Sequence, residues 1–309
     1  MFNRYVKNNL AYFVLCSIVL FLVAGSVANS QAKEGAKHQN IKVFRDVFVD
    51  GSHRNGPELV LLDSASFIMG RMPGDDGYKI VETPHAVTLS GFAMGRYEIT
   101  NQQFAAFLNE QSPTPGTMAR WLNIGSSPGL FYSQKDGVVK VVAEYKQIPV
   151  TGVSWQGAIA FGRWLSAKTG EVYTLPTEAQ WEYAAQSGVK TLYPWGDGFN
   201  PEKINCNKAI KKRGAKPVGS FVANGYGIYD MLGNVWEWTL DCKKIGSYYF
   251  SPSRDPQFLD SQCLVPIIRG GSFNDPPSMC RAKNRANFWW RGHPDRIGFR
   301  VVRRNRSKK

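Results

Sequence analysis

Two tryptophans flank one glutamate in Gly225-Tyr-Gly-Ile-Tyr-Asp-Met-Leu-Gly-Asn-Val-Trp-Glu-Trp-Thr239, directly after a Gly-Asn pair. Gly tolerates positive φ and Asn often does, so Gly233-Asn234 forces a tight backbone turn. A carboxylate just beyond such a turn, here Glu237, can meet the turn's carbonyls around a hard cation such as Ca²⁺. The same residues also read as the edge of a strand that holds no ion. A second stretch, Gly270-Gly-Ser-Phe-Asn-Asp-Pro-Pro-Ser-Met-Cys280, brings together a hydroxyl, a carboxylate and a thiol. After it comes Phe288-Trp-Trp-Arg291. Exposed Trp and Arg are common binding anchors, although rings of that size also fill cores. No Gly-rich phosphate loop, nucleophile elbow or Ser/His/Asp arrangement is present.

Further motifs accompany these: Phe67-Ile-Met-Gly70, Tyr97-Glu-Ile-Thr-Asn101, Val153-Ser-Trp155, Leu175-Pro-Thr-Glu-Ala-Gln-Trp-Glu-Tyr-Ala184, Tyr193-Pro-Trp-Gly-Asp197, Arg269-Gly-Gly-Ser-Phe273 and Ile297-Gly-Phe-Arg-Val301. In this order, over about residues 58–303, they resemble the formylglycine-generating enzyme family, also called sulfatase-modifying factor. Each motif is weak alone; their joint occurrence is specific. The resemblance implies a single α+β domain related to the C-type lectin fold, with much irregular structure and often bound Ca²⁺. It does not imply one function. The family includes copper-dependent sulfatase activators, iron-dependent sulfoxide synthases, periplasmic siderophore-maturation proteins and ligand-binding domains without known catalysis.

Carried over residue by residue, the family's Ca²⁺ site falls on the carbonyls of Leu232, Gly233 and Val235 and the carboxylate of Glu237, with Asn234 shaping the turn. A second family site would use Asn205 and the Cys206 carbonyl, but its remaining ligands are absent from this sequence. The copper-dependent members bind Cu(I) through two cysteines five positions apart after Gly-Gly-Ser. Here Asp275 holds the first place and Cys280 the second. One thiolate and one carboxylate do not make a linear Cu(I) site, so copper is not expected. The iron branch needs three histidines, contributed largely by an additional helical domain, whereas His38, His53, His85 and His293 are far apart and none is paired at metal-ligand spacing. The family's cleft lies beside Gly-Gly-Ser. Its catalytic candidates here are Ser272, Asp275 and Cys280, and its ligand-binding candidates are Asn274, Arg281, Arg285, Trp289, Trp290 and Arg291, with Phe288 among them.

Composition fits a globular protein. The 309 residues are 43% hydrophobic and 20% charged, enough for one large core. Residues 1–32 read as an export signal: Arg4 and Lys7, then an apolar run over 10–28, then small residues at Ala28 and Ala32. The competing reading is an uncleaved anchor to the inner membrane through residues 10–28. Either way the domain is expected in the periplasm or secreted. Arg4 and Lys7 are the only charges in that segment, so its removal leaves a formal charge of +12 instead of +14. Such a surface attracts anionic envelope components. Nucleic acid is not expected, because the basic residues are scattered. Four cysteines then remain, which allow three full pairings. A Cys242–Cys263 bridge would staple the insertion between Trp-Glu-Trp and Arg-Gly-Gly-Ser; the partners of Cys206 and Cys280 stay open.

The elements that must position these residues follow from pattern. Residues 33–57 read as linker and lead-in, 58–303 as one domain, and 304–309 as a basic tail. Adjacent strands are expected at 58–62 and 65–69 around Asp63-Ser64, and another at 85–89. Thr100, Ser154 and Thr177 each cap a helix, the first and last with a glutamine three residues on. Gly170 and Gly188 are the expected stops of the second and third helices. Residues 111–147 read as an irregular insertion, and 298–302 as the closing strand. The function expected is that of an exported family member acting on a peptide or peptide-derived substrate. The alternative is a non-catalytic module that holds a peptide, glycan or envelope partner.

Overall fold

The computed structural model describes residues 41–71, 83–206, 214–243, 253–258 and 263–305. The expected export segment, most of the loop after Gly70, and the far end of the basic tail lie outside the described residues.

Among the described residues, one sheet runs in the order β1 (Val43–Phe44), β2 (Leu59–Leu62), β5 (Phe92–Gly95), β13 (Val302–Arg304), β8 (Tyr173–Thr174). Its first strand corrects the expected boundary. Val43 pairs with Val60, and buried Phe48 meets Trp164 edge-on at 5.8 Å. The domain therefore begins before residue 58. A two-residue strand leaves no periodic signal, which is why the lead-in read as linker. A separate hairpin pairs β3 (Ala65–Met69) with β4 (His85–Leu89). The strands on either side of Asp63-Ser64 thus form as expected, but the turn passes the chain from one sheet to another.

The helix caps form as their sequences require. α1 (Asn101–Gln111) starts at Thr100 with a reciprocal Thr100–Gln103 capping box. α3 (Trp155–Thr169) starts at Ser154 and stops at Gly170 in the left-handed region. α4 (Glu178–Gln186) carries the Thr177–Gln180 box, but its left-handed cap is Ser187, one residue before the expected glycine. Inside the insertion, Thr114 and Pro115 start a short helix, α2 (Pro115–Trp121). A hairpin follows, β6 (Leu130–Ser133) with β7 (Val138–Val141).

The second main sheet positions the site. Its order is β11 (Arg285–Asn287), β10 (Pro266–Arg269), β9 (Trp236–Cys242), β12 (Ile297–Gly298). β9 carries Trp-Glu-Trp, and every residue in it is buried. The expected closing strand is divided. Ile297 and Gly298 pair with β9, whereas residues 302–304 join the first sheet. Phe299, Arg300 and Val301 cross between the sheets, which buries Arg300 completely. One hydrophobic cluster gathers the rings of α1 and α3, including Phe104, Phe107, Phe161 and Phe299. A second gathers Trp181 and Tyr183 of α4 with the β3–β4 hairpin.

Candidate functional site

The Gly-Asn turn forms as the sequence requires. Gly233 has φ +76° and Asn234 φ +57°. A Cβ on Gly233 would lie 2.6 Å from the Asn205 carbonyl oxygen, so glycine is required on two counts. Asn234 is a hub: its backbone N–H donates to Asn205 O at 2.8 Å and its Nδ2 to Glu98 Oε1 at 2.9 Å.

Glu237, expected as the side-chain ligand for Ca²⁺, is committed elsewhere. Arg300 donates through Nε to Oε2 and through Nη2 to Oε1, both at 2.7 Å. Trp181 Nε1 donates to Oε2 at 2.8 Å. Oε2 therefore has both lone pairs filled, and a cation at Oε1 would stand beside a guanidinium. The four-ligand set drawn from the sequence does not fit a calcium ion in this arrangement. No cluster of three or more His, Cys, Asp or Glu side chains suited to a metal occurs among the described residues.

Surplus acid does lie next to this pair. Glu98 and Asp230 are buried close by, and Glu98 Oε2 has no hydrogen-bond partner. Burial pushes Glu98 well above the usual carboxylate range, Asp230 pushes the same way, and Arg300 opposes them. Burial likewise pushes Asp230 up to about 6, against the Gly219 N–H and Arg300. Neither residue was singled out as a site from the sequence. The only signal was an acidic residue inside each of two otherwise apolar motifs, Tyr97-Glu-Ile99 and Ile228-Tyr-Asp-Met-Leu232.

The Gly-Gly-Ser segment leaves β10 beside this turn; Gly233 N donates to Gly270 O at 2.9 Å. Cys280 is bonded to Cys206, and Cys242 to Cys263. The Cys242–Cys263 pairing is the one expected, and the open pairing is resolved. A Cβ on Gly271 would sit 2.6 Å from Cys280 Sγ, so the second glycine lets the disulfide pack against the turn. Asp275, in the first thiolate's place, holds three donors on Oδ2. These are Trp236 Nε1 at 2.8 Å, Ser272 N at 3.1 Å and the Ser272 hydroxyl. Ser272 is fully buried and anchors Asp275 from below, while Asn274 is exposed. The accessible chemistry of the segment is thus one half-buried carboxylate with its second oxygen unengaged among the described residues. Such a group accepts a hydrogen bond or a proton. Neither position of the copper pair offers a thiolate.

The remaining cleft candidates do not converge there. Arg285 pairs with Glu178 at 2.6 Å, inside a buried network that also joins Arg269 to Glu178 and Glu182. It ties α4 to β10 and β11, which is a structural role. Arg281 is buried, with Nε donating to Ser278 O at 2.8 Å. Trp289, Trp290 and Arg291 follow β11 at the Pro266 end of β10, whereas Gly-Gly-Ser leaves the Arg269 end. The family resemblance places both groups in one cleft; the antiparallel return of β11 carries them to opposite ends of β10. A cavity of about 700 Å³ lies elsewhere again, between α1, α2 and the β6–β7 hairpin, lined by Leu108, Met118, Val139 and His293.

A small-sheet α+β fold, a Trp-Glu-Trp strand held by the arginine of Gly-Phe-Arg, and a Gly-Gly-Ser segment beside it define the class of sulfatase-modifying factors. Residues 44–305 match the sulfatase-modifying factor enzyme 1-like domain, and the chain belongs to that family. It is similar to the formylglycine-generating enzyme of Mycobacterium tuberculosis, 30% identical over 307 residues, covering 79% of this chain and 97% of that protein. It is as similar to the inactive C-alpha-formylglycine-generating enzyme 2 of Mus musculus, 30% identical over 284 residues, covering 81% and 87%. Among solved structures it resembles PvdO from Pseudomonas aeruginosa, with 30% identity, a TM-score of 0.67, and coverage of 81% of this chain and 95% of that one. Equal identity to an enzyme and to a relative named inactive means that overall likeness does not assign activity. The site must.

Proposed function

We propose that this protein is an exported member of the family that acts on a peptide or peptide-derived substrate in the periplasm, without a copper dithiolate. One observation carries the copper-independent part of this reading: Cys280 is closed in a disulfide, and its partner position is Asp275, anchored by Ser272 and Trp236. The segment that corresponds to the copper-binding segment of the copper-dependent members offers an acceptor carboxylate in place of two thiolates. Export is supported by two formed disulfides, which persist in oxidising compartments. No helix among the described residues is long and apolar enough to cross a membrane.

Calcium belongs to this proposal in a narrower form than the sequence suggested. The turn carbonyls of Leu232, Gly233 and Val235 remain its candidate ligands. The acids nearest the turn are Glu98 and Asp230, which would give up their protons to a bound cation, because Glu237 serves Arg300. Its role would be to hold the turn, not to take part in chemistry.

The second reading, a non-catalytic binding or accessory module, is favoured by the same disulfide, since it removes the family's known reacting group. One experiment separates the two. A photo-crosslinking residue at exposed position 274 is expressed in the exporting cell, and the captured species is identified by mass. A captured peptide whose free pool changes mass when the protein is present supports modification. A captured peptide of unchanged mass supports the binding module. Capture of no peptide-class molecule contradicts both.

A further inference from the structure

The geometry points to a second functional surface: the Pro266 end of the β9–β10–β11 sheet is a docking face for an anionic phospholipid bilayer. Three chain segments meet there. Lys243 N donates to Val265 O at 2.8 Å, Phe288 N to Pro266 O at 3.1 Å, and Trp290 N to Leu264 O at 3.1 Å. The Cys242–Cys263 disulfide fastens the same end. Phe288 leans edge-on against buried Trp238, with ring centroids 6.3 Å apart. The face is therefore built on a pinned sheet end.

Its surface is apolar where water would be expected. Leu264 is 59% exposed, Trp289 55% and Phe288 36%. Core filling explains Trp290, which is half-buried, but not these three. The Arg291 guanidinium lies 4.5 Å over the Trp290 ring, a cation–π contact at an exposed residue. Lys243 and Arg291 are exposed and form no ion pair among the described residues. Residues 263–269 and 284–294 contain no Asp or Glu, and the whole chain carries +14. An apolar tip bearing Trp and Leu, flanked by two exposed cations outside any ion pair among the described residues, matches the boundary between acyl chains and anionic headgroups.

A peptide partner would instead need a groove. Among the described residues, the cavities of about 700 Å³ and 240 Å³ are lined by others. Two cations and a small apolar tip give weak, reversible binding, enough to hold an exported domain near the membrane but not to insert it. The inference stands apart from the reading of the Asp275 segment, which leaves the opposite end of β10.

The test uses the exported protein with vesicles of phosphatidylcholine alone or mixed with phosphatidylglycerol. Sedimentation is expected to show binding to the mixed vesicles about tenfold stronger than to the neutral ones, falling with salt. Leu264→Ser/Trp289→Ser is expected to lose about tenfold on the mixed vesicles. Lys243→Gln/Arg291→Gln is expected to lose the salt dependence. All these positions are on the surface, and a retained Cys242–Cys263 bridge on non-reducing peptide mapping confirms folding. Brominated phosphatidylglycerol provides a readout independent of any retained N-terminal segment. It should quench wild-type fluorescence more than that of Trp289→Phe. Equal sedimentation on both vesicle types, equal binding by the Leu264/Trp289 variant, or equal quenching would overturn the proposal. So would loss of a protein or peptide partner in that variant with no vesicle binding by wild type, which would assign the face to a macromolecule.

Discussion

Asp275 Oδ2 accepts the indole N–H of Trp236 at 2.8 Å. The residue in the place of a copper-binding thiol therefore ties the Gly-Gly-Ser turn to the Trp-Glu-Trp strand. It completes a hydrogen-bond network and is not a loose substitution on the surface.

Removing that carboxylate leaves the Trp236 N–H and the Ser272 N–H without their acceptor. Asp275→Ala is expected to cost about 1–3 kcal/mol in urea unfolding. Asp275→Asn, which keeps one oxygen, should cost less. Equal stability of Asp275→Ala and wild type would show that the network contributes nothing.

Glu237→Ala leaves Arg300 buried beside an empty space. Breaking such a pair costs about 3–5 kcal/mol. The loss is expected to be the same with and without EDTA, because Glu237 serves Arg300. Glu98→Gln should instead abolish any EDTA sensitivity, since its unpartnered oxygen is the acid left over. Metal analysis and melting curves of wild type, Glu98→Gln and Glu237→Ala decide this. A full EDTA response retained in Glu98→Gln but lost in Glu237→Ala would return the calcium to Glu237.

Cross-linking across 74 residues restrains the unfolded chain more than cross-linking across 21. In the chain-entropy account the two bridges contribute about 4.5 and about 3 kcal/mol. Cys206→Ala/Cys280→Ala is therefore expected to destabilise more than Cys242→Ala/Cys263→Ala. Urea midpoints for the two variants, with m-values compared, check the order.

The parts legible in the sequence were local. Thr100 with Gln103, Ser154 with Gly170, and Thr177 with Gln180 each announce a helix end by short-range chemistry. Gly233-Asn234 announces its turn in the same way, and the Cys242–Cys263 loop was short enough to anticipate. What was not legible depended on returns of the chain. Arg300 reads as part of a strand, yet the strand breaks at residues 299–301 and delivers it to Glu237. Trp289 and Ser272 are close in sequence, yet β11 carries them to opposite ends of β10. Val43 pairs with Val60 through too few residues to show a period.

One buried group gives a pH dependence with a definite sign. Asp241 accepts the N–H of Glu178 at 2.6 Å and of Phe258 at 2.7 Å. Burial pushes its carboxyl from 3.8 up to about 6, Glu178 adds to the shift, and the two N–H groups oppose it. The folded state therefore holds the proton more tightly than the unfolded chain. That stabilisation is complete below about pH 4 and is lost as pH rises through about 6. The melting temperature of wild type relative to Asp241→Asn is expected to fall across this window. A difference that is constant or rises with pH would contradict the assignment.

The most direct measurement concerns the reaction that this chain's Gly-Gly-Ser segment should not perform. Exported protein is incubated with a sulfatase-type Cys-x-Pro-x-Arg peptide, copper and oxygen, and the peptide is followed by mass spectrometry for conversion of Cys to the aldehyde. No conversion is expected, because Asp275 is a hard ligand and Cys280 is bonded to Cys206. Conversion by wild type that disappears in Cys280→Ala would contradict this, and would make the protein a formylglycine generator working with one cysteine.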